Sequence, residues 1–215
     1  MKASWLGVVI AGIVLGVAMS AQGQGKEEVN TPPAVETAQV GKVAPGFTLK
    51  DVHGKEVSLA SFKGKTVVLE WFNPGCPFVK RVHLENGPMP SMVKKHVAGG
   101  GIWLAINSGA SGNQGTGAEA NLQALKDYSM TWPLLIDEPG EVGRLYGATK
   151  TPHVFVINGE GTLVYAGGVD STRGGGYGEA EFVNYLQDAL DQTAEGTPVK
   201  VSSTPAWGCS VKYKK

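Results

Sequence analysis

Cysteine is nearly absent from this chain: Cys76 and Cys209 are the only two in 215 residues, so any thiol chemistry rests on these positions. An excess of charge of either sign is missing too. Lys plus Arg and Asp plus Glu number 19 each, which removes the usual signal for a nucleic-acid or anionic-membrane partner and leaves a small molecule or a protein. No Gly-Lys-Ser/Thr ending closes either glycine-rich stretch, Gly109 to Gly117 or Gly168 to Gly178, and neither has dinucleotide spacing directly after a strand. Both read as flexible surface loops, and no cofactor and no resident metal is expected. The apolar run Trp5 to Met19 falls short of the about 20 residues that a spanning helix needs. Lys2 before it and the small residues Ala18, Ser20, Ala21 and Gly23 around its end give residues 1–23 the layout of a secretory signal peptide, with no cysteine following to accept lipid. Export to a periplasm or the outside is the expectation, in a setting where disulfides persist. An uncleaved anchor is the one route to a membrane.

A hydrophobic fraction of 42% is ample for one sizeable core, so the length suits one domain with appendages. Residues 24–40 are polar and aperiodic and read as a linker. Phe47-Thr48-Leu49 and Val57-Ser58-Leu59 alternate apolar with polar around Asp51 to Lys55, a hairpin pattern. Val67-Val68-Leu69 is a compact apolar run fit for a central strand buried on both faces. Further strands are expected at Ile102 to Ile106, Leu134 to Ile136, Val154 to Ile157 and Thr162 to Tyr165. Leu122 and Leu125 suggest a helix near Ala118 to Tyr128, and Phe182, Leu186, Ala189 and Leu190 another near Glu179 to Asp191. The alternation implies an α/β layered domain over 41–196, followed by a tail, 197–215, that begins at the Thr197-Pro198 break.

Cys76 lies just past the predicted central strand, in Trp71-Phe72-Asn73-Pro74-Gly75-Cys76-Pro77-Phe78, where a strand hands over to a helix. Unpaired backbone N–H groups at a helix start favour the thiolate, which is the form that attacks disulfides and peroxides. Pro77 suits the first turn because its missing N–H costs nothing there. The expectation is an acidic cysteine at an exposed helix start.

Val43-Ala44-Pro45-Gly46-Phe47, Val57 to Lys65 and the Cys76 segment together resemble the thioredoxin-like redoxins, and more narrowly the alkyl hydroperoxide reductase and thiol-specific antioxidant group, over about Gly41 to Gly196. The resemblance implies a thioredoxin-like fold, a central mixed sheet flanked by helices. It makes Cys76 the attacking cysteine. The second cysteine of the thioredoxin motif is replaced by Val79, so resolution must come from elsewhere. Glu70 stands where thioredoxins carry a buried proton-shuttling acid, though a glutamate at a strand end can equally face solvent. Thr151-Pro152-His153 is similar to the thioredoxin loop whose proline is cis and packs on the attacking cysteine, beside backbone that pairs with substrate. His153 would then lie near Cys76 and, as imidazolium, lower its pKa. Peroxiredoxins share Cys76-Pro77, but their Thr or Ser three residues earlier and proline seven earlier are Asn73 and Leu69 here, and Pro152 falls near the place of their arginine. Fast peroxide reduction is weakened accordingly. Cys209, in Trp207-Gly208-Cys209-Ser210, resembles the tail cysteine of a peroxiredoxin-like subgroup and is the candidate resolving thiol, with a permanent clamp as its alternative. The implied partners are a disulfide-bearing or thiol protein or a hydroperoxide, and an external thiol reductant. A non-catalytic thioredoxin-like binding or copper-handling module using Cys76 with His83 or His153 is the rival reading.

Overall fold

Every residue of Val67-Val68-Leu69-Glu70-Trp71 is buried, and the rest of the fold is arranged around this strand. The computed structural model describes residues 1–2, 37–83, 87–173 and 182–215. The proposed signal peptide and nearly all of the linker therefore lie outside the described residues, as does the second half of the Gly168 to Gly178 stretch. All elements below belong to the unit Val35–Lys215.

The strands are β1 (Thr48–Asp51), β2 (Glu56–Ser58), β3 (Val67–Trp71), β4 (Ile102–Asn107), β5 (Leu134–Ile136), β6 (Lys150–Thr151), β7 (His153–Ile157), β8 (Leu163–Gly167) and β9 (Cys209–Ser210). The helices are α1 (Pro77–His83), α2 (Met89–Ala98), α3 (Ala118–Asp127), α4 (Glu141–Leu145) and α5 (Tyr185–Ala194). Seven strands form one sheet in the order β2-β1-β5-β4-β3-β7-β8. Pairing is parallel for β3 with β4 and for β4 with β5, and antiparallel elsewhere, so the sheet is mixed as expected. Side-chain alternation splits the core into two layers. Val68, Phe72, Trp103, Ala105, Val154 and Val156 face a layer that includes Val79 and Val82 of α1 and Leu186 of α5. Val67, Leu69, Trp71, Leu104, Ile106, Phe155 and Ile157 face the other, with Val142 of α4. That double burial is why β3 reads as a continuous apolar run.

The helix expectations need two corrections. On α3 the buried face is Asn121 and Ala124 with Leu125 partly buried against the core, while Leu122 is exposed, so only one of the two leucines marks the inner face. The last helix begins at Tyr185, because the Asn184 side chain accepts from the Gln187 N–H and caps it there. Phe182 precedes that helix and is exposed. The short α4 starts where Asp137, buried, accepts from the Val142 and Gly143 N–H groups. Among the described residues no helix is long and apolar enough to cross a membrane.

Candidate active site

The turn after β3 is built by side chains that bond to backbone. Asn73 Oδ1 accepts from the Gly75 N–H at 2.8 Å, reversing the chain, and Asn73 Nδ2 donates to the Gln114 carbonyl at 3.0 Å. Gln114 Nε2 returns a bond to the Gly75 carbonyl at 2.9 Å, and the Tyr128 hydroxyl donates to the Pro74 carbonyl at 2.9 Å. The Gly109 to Gly117 stretch, expected as a free loop, thus braces the turn. Gly115 has φ of 73°, and a Cβ there would lie 2.1 Å from Asn73 Oδ1. Cys76 follows as the residue that opens α1: its carbonyl accepts from the Lys80 N–H, and Pro77 is the first helical residue.

Cys76 is not exposed. Only 1% of its surface is accessible: it lies in the core layer, and the C-terminal tail brings Cys209 against it. Antiparallel β9 pairs with β6, setting Cys209 opposite Thr151 and Ser210 opposite Lys150. The peptide bond between Thr151 and Pro152 is cis. As a neutral thiol, Cys76 donates to the Thr151 carbonyl at 3.1 Å. Burial pushes its pKa up, yet hydrogen bonds from the Cys209 thiol, from Thr151 and from the Val79 and Cys209 N–H groups outweigh it and hold the value below that of a free cysteine. The Thr151 hydroxyl is buried with no other partner, a donor in reserve for an ionised sulfur. Cys209 is pushed the other way, up to about 11, by burial and by its hydrogen bond to and the charge of Cys76. Of the two thiols Cys76 is the more acidic, and once ionised it would receive the Cys209 S–H. Gly208 permits this approach: its φ is 116°, and a Cβ would stand 2.2 Å from the Thr151 carbonyl oxygen and 3.4 Å from Pro152 Cδ.

Cys76, Pro77, Thr151, Pro152 and Cys209 therefore converge, and three other predicted residues do not join them. Glu70 is fully buried, which removes the solvent-facing alternative, but its oxygens serve His83 Nε2 at 2.7 Å and Trp103 Nε1 at 3.0 Å. His83 sits at the far end of α1 from Cys76, its ring stacked on Trp132 and edge-on to Phe72 and Tyr128. His153 turns to the opposite core layer, its ring 4.4 Å from that of Phe155, because successive strand residues alternate faces. Burial lowers its pKa to about 4, so at neutral pH it is uncharged and supplies no imidazolium to Cys76. Among the described residues no three His, Cys, Asp or Glu side chains gather as metal ligands. Asn73, in the peroxiredoxin threonine position, spends its side chain on Gly75 and Gln114, and Lys80 is exposed. Sequence reasoning missed Gly208 and the Asn73–Gln114 brace; a glycine directly before Cys209 was the one readable sign of the first.

The model of the AhpC/TSA family matches residues 40–166. The chain belongs to the AhpC/TSA family. The thiol-disulfide oxidoreductase ResA of Bacillus thuringiensis subsp. konkukian is 30% identical over 130 residues, covering 60% of this chain and 69% of that protein. ResA of Bacillus subtilis is 30% identical over 130 residues, with 60% and 67% covered. Chloroplastic peroxiredoxin Q of Triticum aestivum is 31% identical over 136 residues, 58% of this chain and 57% of its own. Among solved structures, an uncharacterized conserved protein of Geobacillus kaustophilus superposes with TM-score 0.72 at 29% identity, covering 82% of this chain and 93% of that one. A hypothetical protein of Sinorhizobium meliloti gives 0.71 at 27%, with 83% and 97% covered. The protein is a thiol-dependent oxidoreductase of the redoxin kind, with the thioredoxin-like fold. Cys209 lies beyond the stretch that the family model matches.

Proposed function

We propose that this protein is an exported thiol-disulfide oxidoreductase or peroxiredoxin-like reductase, periplasmic or secreted, in which Cys76 attacks and Cys209 resolves. The observation that carries the reading is the meeting of two thiols beside Thr151, which bonds Cys76 and pairs with Cys209, their acidities opposed, Cys76 lowered in pKa and Cys209 raised. Export rests on the apolar run Trp5 to Met19 and its flanks.

In the favoured reaction the Cys76 thiolate attacks one sulfur of a protein disulfide. A Cys76–substrate disulfide forms, the substrate S–S bond breaks, and the second substrate sulfur leaves as a thiolate and takes up a proton. Cys209 then loses its proton and attacks the Cys76 sulfur, the mixed disulfide breaks, and the substrate sulfur that Cys76 had attacked departs as a thiolate and takes up a proton. Two electrons have passed to the substrate, and Cys76–Cys209 is the oxidised product, which an external thiol reduces. With a hydroperoxide the first step instead leaves a Cys76 sulfenic acid and an alcohol, and Cys209 condenses with the sulfenic acid to release water. Disulfide exchange is favoured because Asn73, in the place of the peroxiredoxin threonine, has its side chain taken up by Gly75 and Gln114, and Pro152 falls near the place of the arginine. Glu70 is assigned to holding α1 through His83, and an unchanged pH profile of Cys76 alkylation in Glu70→Gln would remove it from proton transfer.

The test is turnover of a model protein disulfide with a small thiol as reductant, alongside stopped-flow oxidation by hydrogen peroxide. Cys76→Ser should abolish exchange, and Cys209→Ser should accumulate a mixed disulfide on Cys76. Peroxide should oxidise Cys76 slowly beside the disulfide reaction. Full exchange activity in Cys76→Ser overturns the assignment.

A further inference from the structure

The attacking thiol is sealed from solvent. A nucleophile with 1% of its surface accessible cannot meet a sulfur embedded in another polypeptide, so something must open. What covers Cys76 is weakly embedded. Trp207 is buried and donates to the Asp170 carbonyl at 3.0 Å, but none of residues 208–215 is fully buried. Beyond Gly208 the tail is fastened by the two-residue ladder to β6, by Cys209 and Val211, each only partly buried against a core layer, and by a handful of polar contacts. The Val211 N–H donates to the Thr149 carbonyl, and the Lys212 carbonyl accepts from the Ala110 N–H. The Tyr213 hydroxyl donates to the Ala148 carbonyl at 2.7 Å, with the Arg144 guanidinium 4.6 Å over its ring. Arg144 also donates to the Lys214 carbonyl. Segments with few buried apolar contacts and edge hydrogen bonds are those that open locally.

We infer that residues 209–215 form a self-inhibitory strap, pivoting at Gly208 while Trp207 stays anchored, which must lift for Cys76 to engage a polypeptide disulfide and re-close to bring Cys209 back as resolving thiol. The inference rests on the thiol-exchange reading. It makes access, and not only nucleophilicity, a determinant of rate: a disulfide on a protein surface is attacked only from the lifted state, and the strap carries the thiol that ends the reaction. Tyr213, four residues beyond Cys209, and Arg144 are then positioning residues that set how often the site opens.

The experiment compares Cys209→Ser with Cys209→Ser/Tyr213→Ala, both as full-length reduced chains, because neither can form the Cys76–Cys209 bond. The readout is the rate of Cys76 alkylation by iodoacetamide, read by peptide mass, with far-UV circular dichroism as the folding control. Loss of one hydrogen bond and one cation–π contact should raise the open population, and with it the rate, about tenfold. If Tyr213→Ala unfolds the chain, Arg144→Gln, which removes the cation and the Lys214 contact, serves in its place and should act in the same direction. An unchanged rate in a folded fastening variant overturns the strap even where the wild type forms the Cys76–Cys209 disulfide. Acceleration combined with no such disulfide in the wild type keeps the strap and removes the redox reading beneath it.

Discussion

Replacing His83 with alanine breaks the buried contact that ties α1 to β3, and its cost can be worked from the site. Glu70 is fully buried and His83 nearly so, and the 2.7 Å bond between them occupies one carboxyl oxygen, while Trp103 holds the other. Deleting the imidazole strands that oxygen where water does not reach. Such an orphan costs about 1–3 kcal/mol for a neutral group and about 3–5 kcal/mol for a charged one. The ring's contacts with Phe72, Tyr128 and Trp132 are lost as well. A total near 4 kcal/mol is expected, which for a unit of this size lowers Tm by roughly 10 °C. Urea unfolding followed by tryptophan fluorescence measures it. In a Glu70→Gln background the same substitution should cost at least about 1 kcal/mol less, because the two side chains share one interaction. A loss below about 1 kcal/mol, or an identical loss in both backgrounds, refutes the view that this pair anchors the helix that carries Cys76.

Three further outcomes follow from the geometry. The pKa of His153 is lowered to about 4 in the folded chain by burial, so the unfolded chain binds its proton first. The associated stability is intact above the unfolded value of 6.5 and is lost as pH falls toward about 4, by roughly 3 kcal/mol; His153→Phe should flatten that acid limb in urea titrations, and an unaltered limb counts against it. Gly208→Ala forces a Cβ toward the Thr151 carbonyl and should release the tail, seen as lost hydrogen-exchange protection at the Val211 amide with the β3–β4 amides still protected; retained protection at Val211 contradicts the close fit. Cys209→Ala removes a thiol donor from Cys76 and should move the pH midpoint of Cys76 alkylation upward, whereas a fixed midpoint would mean that the donation has no part in its acidity.

The layered α/β fold was legible because its signals are long. Val67 to Leu69 and Ile102 to Ile106 are buried on both faces and read as continuous apolar runs. The site was legible where one residue type carries the chemistry: Cys76 before Pro77, Thr151-Pro152, and a second cysteine at 209. What escaped is set by non-local packing. The two-residue β9 has no periodicity to detect, so the approach of the tail to Cys76 could not be read from spacing. The face of His153 depends on the register of β7 against β3, in which Trp71 pairs with His153, and a one-residue slip would have turned it over. Glu70 looked ambiguous because its partners, His83 and Trp103, lie on two other elements.

The most direct test of the pairing at the centre of this account is a peptide map, made without reductant, of the purified chain after one equivalent of a mild disulfide oxidant. A Cys76–Cys209 linkage within a monomer, with no free thiol left, is the predicted result. Recovery of Cys209 as an unmodified thiol beside an oxidised or intermolecularly linked Cys76 would contradict it.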